Sequence, residues 1–303
     1  MLYNEYSKYL KDKYGEKVYK LPINIPTTCP NRDGTIGYGG CTFCAEVGTG
    51  FEMLDNSISV QEQIKKNMEY ISRKYKAKKF IAYFQNYTNT YLELETFKRY
   101  IKEAIVPNIV EISISTRPDC IGEEYLQFLN EIHLQHNINI SIELGLQTVN
   151  YHTLININRG HTLAAFIDAI LRIKKYDFET CVHIILNLPG DNMVDTVETA
   201  KILSVLKVEQ VKIHSLYIME NTAMGRLYKE NKIELISKDE YIEKVIIFLE
   251  NLNKDIVVQR LIGRAPKENS LFVNWGMSWW KIKDEILEIM ANEDRKQGNK
   301  AIY

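Results

Sequence analysis

Short apolar runs recur along the chain at intervals of roughly thirty residues, the length of one strand–helix unit. They read KVYKLPINI from Lys17, KKFIAYFQ from Lys78, IVEISIST from Ile109, INISIELGL from Ile138, TCVHIILNL from Thr180 and QVKIHSLYIM from Gln210. All are rich in Ile, Val, Tyr and Phe, which suits buried parallel strands. Helical stripes lie between them. Ser59 and Glu62 have the spacing of a capping box, and Ile64, Met68, Ile71 and Tyr75 then repeat at helical intervals. Leu163, Phe166, Ile167, Ile170 and Ile173 do so after His161-Thr162, and Met193, Val197, Ala200 and Leu203 form a third stripe. Such stripes are core-facing helix surfaces. Six strands alternating with helices predict an α/β fold, a parallel sheet wound into a partial (β/α)6 TIM-like barrel over residues 1–236. Loops at the C-terminal ends of the strands then carry the function. Beyond residue 236 the pattern changes to a long helix in SKDEYIEKVIIFLENL, a short strand in IVVQRLIG and a tryptophan-rich helical tail. This predicts a C-terminal helical appendage, 237–303, packed on the barrel.

The chain has 303 residues, 45% of them hydrophobic and 25% charged, ordinary values for a globular protein that buries a sizeable core. A net charge of -1 offers no global field for a polyanion, so any such site must be a local patch. The run Lys65, Lys66, Arg73, Lys74, Lys76, Lys78, Lys79 is such a patch or simply a solvated helix face. No segment reads as a signal peptide or membrane span, and an odd count of five cysteines argues against a disulfide framework, so a reducing cytoplasm is expected.

Three of those cysteines lie together in CPNRDGTIGYGGCTFC, Cys29, Cys41 and Cys44, directly after the first strand. Structural zinc takes four ligands, and a Cys3His site would have to recruit His183 or His214 from an apolar strand. An iron–sulfur cluster fits better: thiolates hold it, and Gly37, Gly39 and Gly40 let the backbone come close to the sulfurs. Three thiolates on four irons leave one iron open for a small molecule. Cys120 and Cys181 read as small buried residues. Glu143 stands on a strand that otherwise reads as buried, so it must meet a cation or a polar ligand.

The loop, together with TRPD at 116–119 and RLIGRAP at 260–266, resembles the radical S-adenosylmethionine (SAM) superfamily, and within it the YhcC/YtqA-type group, kin of the Elp3 radical domain. The resemblance implies a [4Fe-4S] cluster on Cys29, Cys41 and Cys44, with Phe43 near the SAM adenine. It places Gln85, Asn86, Tyr87, Thr88 and Asn89 where relatives carry a glycine-rich segment that binds the SAM amino group. Ser115, Thr116 and Arg117 are implied as ribose or carboxylate contacts. Glu143 and Gln147 on the fourth strand, Arg159 after it, and His183 and Asn187 on the fifth complete the implied SAM site. The implied activity is reductive cleavage of SAM to a 5′-deoxyadenosyl radical, with an electron from a flavodoxin- or ferredoxin-like donor. The implied substrate is tRNA, in conversion of wobble 5-carboxymethylaminomethyl-uridine to 5-aminomethyl-uridine. A small metabolite or peptide substrate, and a non-enzymatic zinc or RNA-binding role, are the alternatives.

Overall fold

The computed structural model describes residues 1–45, 53–264 and 268–302; Ala265 and Pro266 of RLIGRAP lie outside the described residues. In chain order the elements are α1 (Tyr6–Tyr14), β1 (Val18–Ile23), α2 (Val60–Tyr75), β2 (Lys79–Phe84), α3 (Leu94–Glu103), β3 (Ile109–Thr116), α4 (Glu123–His136) and β4 (Asn139–Gln147). Then follow α5 (Tyr151–Asn156), α6 (Leu163–Ile173), β5 (Glu179–Ile185), α7 (Met193–Val205), β6 (Gln210–His214), β7 (Tyr217–Met219) and α8 (Ala223–Lys229). The chain ends with α9 (Lys238–Asn251), β8 (Val257–Arg260), β9 (Ser270–Val273) and α10 (Trp279–Asn292).

Every expected run forms a strand, and the order β1-β2-β3-β4-β5-β6-β8 makes one parallel sheet curled into a half-barrel. From β1 to β6 sequence neighbours are sheet neighbours, as successive crossovers through a helix require. Two differences from the sequence reading stand out. The segment beyond residue 236 does not only append helices: α9 is a further crossover, and β8 pairs with β6 as a seventh parallel strand. The run QVKIHSLYIM also breaks after His214. The Asn187 side-chain oxygen takes the Leu216 N–H at 2.6 Å, and β7 leaves to pair antiparallel with β9.

Alternation along each strand divides the molecule. Ile112 and Ile114 of β3, Ile142 and Leu144 of β4, Val182 and Ile184 of β5 and Val211 and Ile213 of β6 join one core with the helices. The helices contribute fully buried Phe97, Phe166 and Phe248. Each such aromatic supplies roughly 1.5–3 kcal/mol of burial. The intervening side chains, Ser113, Glu143, His183 and Lys212, point the other way and meet one another.

Caps set the helix starts. Ser59 Oγ accepts the Glu62 N–H at 3.3 Å, but Glu62 turns its carboxylate to Lys66. Full reciprocal boxes occur instead at Asn192/Asp195 and Ser237/Glu240. Helix α1 crosses the N-terminal end of the barrel: Tyr9 and Lys13 bond Glu179 at the start of β5, and Tyr14 donates to Glu111 in β3. Among the described residues no helix is long and apolar enough to cross a membrane.

Candidate active site

The cysteine loop leaves the C-terminal end of β1 and folds back on itself. Arg32 N–H bonds the Cys29 carbonyl at 2.8 Å, Gly40 N–H the Asn31 carbonyl at 2.8 Å, and Cys44 N–H the Cys41 carbonyl at 2.9 Å. Across the barrel mouth, Thr42 N–H donates to the Ile157 carbonyl, Asn31 Nδ2 to the Asn158 carbonyl, and Asn158 Nδ2 to the Gly40 carbonyl. Two glycines are demanded by space. A Cβ at Gly37 would stand 2.4 Å from Asn31 Oδ1. At Gly40, where φ is +81°, it would stand 3.0 Å from Arg32 Cγ. These glycines let Asn31 and Arg32 turn back over the loop.

Each cysteine sulfur meets a guanidinium. Arg32 Nη1 lies 3.5 Å from Cys44 Sγ, Arg117 Nη1 lies 3.9 Å from Cys29 Sγ, and Arg159 Nη1 lies 3.7 Å from Cys41 Sγ. Asn31 Nδ2 is a further donor to Cys41 Sγ at 3.8 Å. Burial pushes the Cys44 thiol up to about 11, the Cys41 thiol adds to this, and Arg32 opposes it. The donor set suits a thiolate-held cluster: three soft ligands, N–H donors aimed at sulfur, and positive charge to offset the thiolates. Among the described residues buried Asn31 Oδ1 and Arg159 Nε have no hydrogen-bond partner, so polar capacity beside the sulfurs is unfilled.

Phe43 and Cys44 open onto a cavity that the strand ends also line. Of the residues expected there, Gln85, Tyr87, Ser115, Thr116, Arg117, Gln147 and Arg159 all face it. Tyr87 has φ +51° and Gln147 φ +76°, backbone that favours glycine. Phe43 also packs on a second small core with Ile157, Leu188 and Leu216. Asn86, Thr88, Asn89 and Asn187 do not line the cavity. Asn89 Nδ2 ties the Phe84 and Ser115 carbonyls, Thr88 pairs with the β1 end through the Thr28 carbonyl, and Asn86 reaches Asn24. They hold the mouth in shape.

Glu143 meets the cations that its burial demands. Lys20 and Ser113 bond Oε1; Lys212, Tyr83 and His183 surround Oε2 at 2.8, 2.8 and 2.6 Å. Burial alone would raise its carboxyl, but Lys20 and Lys212 hold it well below the usual range. Glu143, Cys181 and His183 stand close enough to suggest a cation site, yet two ammonium groups already occupy the carboxylate. The chain of contacts continues from His183 Nδ1 to His214 Nε2 at 3.2 Å, and from His214 to Arg260. Burial and Lys212 lower His183 to about 4, so it is neutral. Both of its ring nitrogens have hydrogen-bond partners, Glu143 and His214.

Sequence reasoning missed Arg32, Lys20, Tyr83, Lys212 and Arg260. The signal was available for two of them. Lys20 and Lys212 interrupt apolar runs just as Glu143 does, with the opposite charge.

A parallel half-barrel with a three-cysteine loop at the C-terminal end of its first strand, open onto a polar cavity, defines a class of cluster-dependent enzyme. A family model for the radical SAM superfamily matches residues 23–203, and one for the radical SAM C-terminal domain matches residues 208–292. The chain belongs to the radical SAM superfamily, and within it to the YhcC/YtqA type. It is 34% identical over 300 residues to the uncharacterized protein YtqA of Bacillus subtilis, covering 98% of this chain and 92% of that one. It is 30% identical over 299 residues to protein YhcC of Escherichia coli, covering 98% and 95%. Against a tRNA uridine(34) acetyltransferase of Methanocaldococcus jannaschii it is 25% identical over 181 residues, 56% of this chain and 32% of that one. Elp3 of Methanocaldococcus infernus, solved with an N-terminal deletion, shares the fold at a TM-score of 0.69 and 16% identity, covering 92% of this chain and 64% of that one.

Proposed function

We propose that this radical SAM enzyme modifies tRNA at the wobble uridine, converting 5-carboxymethylaminomethyl-uridine to 5-aminomethyl-uridine. The observation that carries the chemistry is the triad of Cys29, Cys41 and Cys44, each faced by its own arginine at the cavity mouth. Similarity over 181 residues to a tRNA uridine(34) acetyltransferase supports the choice of substrate. When bound, a [4Fe-4S] cluster and SAM supply the reductive cleavage that yields methionine and a 5′-deoxyadenosyl radical. The three cysteines would hold the cluster. Gln85, Ser115, Gln147 and Arg159 would orient SAM, with the Arg159 fork suited to its carboxylate. Phe43 would lie against the adenine. The protein's own share is positioning, and exclusion of water by the packed loop. A flavodoxin- or ferredoxin-like protein would deliver the electron.

The test is mass spectrometry of tRNA nucleosides from cells lacking the gene, complemented with wild type or with Cys41→Ala. Loss of 5-aminomethyl-uridine and build-up of its carboxymethylated precursor, restored only by wild type, is the expected result. An unchanged nucleoside profile sinks the tRNA reading and favours a small metabolite or a peptide. Colourless, iron-free protein after anaerobic purification sinks the cluster itself.

A further inference from the structure

The half-barrel does not close, and its outermost strands β1 and β8 flank a groove outside the catalytic cavity. Helix α1 lines it, as do Trp279 and Lys283 of α10. The groove's charge is one-sided. Lys8, Lys11, Lys17, Lys20, Lys283, Arg260 and Arg264 line it, and Glu5 is the acid among the described lining residues. We infer that this seam binds the phosphate backbone of a single-stranded stretch of RNA and leads one base from it to the cavity. The inference rests on the tRNA reading above.

Three observations carry it. First, the groove holds cations that are available to a ligand. Lys8, Lys11, Lys17 and Lys283 make no ion pair among the described residues, and the first three are exposed. Arg295 and Lys300 are bound to Glu243 and Glu250, Lys296 to Asp294, and Lys66 and Lys79 of the α2 region to Glu62 and Glu16. Lys65, Arg73 and Lys74 of α2 also make no ion pair among the described residues, so what sets the groove apart from α2 is its continuity with the cavity. With a net charge of only -1, a free cluster of this kind is a local attraction and not a share of a general field. Second, the groove runs into the site: Arg260 and Arg264 line groove and cavity alike, and the Lys20 ammonium reaches through to Glu143. Third, Trp279 stands 40% exposed beside Lys283, a ring on which an unstacked base can lie. A peptide strand is a poorer occupant. Val258 N–H on the outer edge of β8 already bonds the Asn4 carbonyl at 2.8 Å, so the backbone edge is taken.

The experiment is a salt titration of bulk tRNA affinity with cluster-loaded protein. It compares wild type, a groove variant carrying Lys8→Glu, Lys11→Glu and Lys283→Glu, and an α2 variant carrying Lys65→Glu, Arg73→Glu and Lys74→Glu. Losing three single-strand phosphate contacts at about 0.7 each flattens the logarithmic salt slope by roughly 2, with affinity down on the order of tenfold or more. The α2 variant should bind like wild type. Trp279→Ala, which changes no charge, should weaken binding by roughly fivefold or more, the range for loss of one stacked base. SAM cleavage without tRNA should stay at the wild-type level in all of them, reporting an intact fold and cluster. Groove and α2 variants that weaken tRNA equally, or a groove variant that binds like wild type, would overturn the seam while leaving the tRNA reading in place. Wild type that shows no salt-dependent tRNA binding would sink that reading, and the seam with it.

Discussion

Glu143 shows how a single residue organises the barrel interior. Its carboxylate is fully buried and accepts from Lys20, Lys212, Tyr83, Ser113 and His183. Removing one partner of a buried ion pair leaves charge without compensation, at a cost of about 3–5 kcal/mol. Glu143→Gln should therefore lower the urea midpoint sharply, and far more than Cys181→Ala beside it. Equal losses in the two variants would show that packing, not charge, holds this layer. The neighbouring His183 gives a pH dependence. Its folded value is about 4 against an ordinary 6.5, because burial and Lys212 disfavour its charged form. The unfolded chain then binds more protons between those values. Stability is complete above pH 6.5 and declines as pH falls toward 4, and His183→Gln should remove part of that decline. Urea midpoints at neutral and mildly acid pH measure it; a wild type equally stable at both would mean that His183 is charged in the folded state. The sequence marked Glu143 and His183 because a charged or titratable group broke an apolar run. It did not reveal that they meet, since partners on β1, β4, β5 and β6 are brought together only by the curl of the sheet.

At the scale of the element, strand β4 couples the fold to the site. A bulge after Gly145 re-aims Gln147, and Arg159 returns its guanidinium to the Gly145 carbonyl at 2.6 Å. A Cβ at Gly145 would stand 2.7 Å from Arg159 Nη2 and 2.8 Å from Gln147 Nε2. Both are ends of flexible side chains, so Gly145→Ala should fold with little penalty yet displace two groups that face the cavity. SAM affinity should fall by on the order of tenfold, equivalent to about 1.4 kcal/mol. Calorimetric binding of SAM to cluster-loaded protein measures it, and unchanged affinity would remove Arg159 and Gln147 from the SAM site. The elements themselves were legible, because a parallel strand and its covering helix write periods of 2 and 3.6 into the chain. The caps were less so: Ser59–Glu62 has the right spacing but only half the bonding, because Glu62 also has Lys66 within reach.

The whole molecule is fastened by its two ends. Gln297 accepts from Asn4 N–H at 2.9 Å and donates to the Asn253 and Ile256 carbonyls at 2.8 Å each, and its own N–H bonds the Leu2 carbonyl. Residues 2–5 are thereby held beside β8, and α1 is aimed across the barrel floor. Gln297→Ala strands three buried or half-buried backbone groups, a loss of roughly 2–4 kcal/mol. Hydrogen exchange should accelerate in α1 as well as in the tail, whereas acceleration in the tail alone would show that the ends are not coupled. No local pattern announced this contact, since a glutamine near the C-terminus reads as surface.

The sequence by itself determined the alternation of strands and helices, the parallel sheet and the three-cysteine loop. Each depends on side chains a few residues apart along the chain, whose periodicity and spacing survive in one dimension. Only the tertiary structure decided that β8 completes the sheet as a seventh strand, since a four-residue strand carries too little pattern to show where it pairs. The same holds for the arginine beside each cysteine and for the two lysines on Glu143. Such contacts join residues up to 123 positions apart, as in Lys20 with Glu143, and nothing in local sequence records which distant strand the closing sheet will bring alongside.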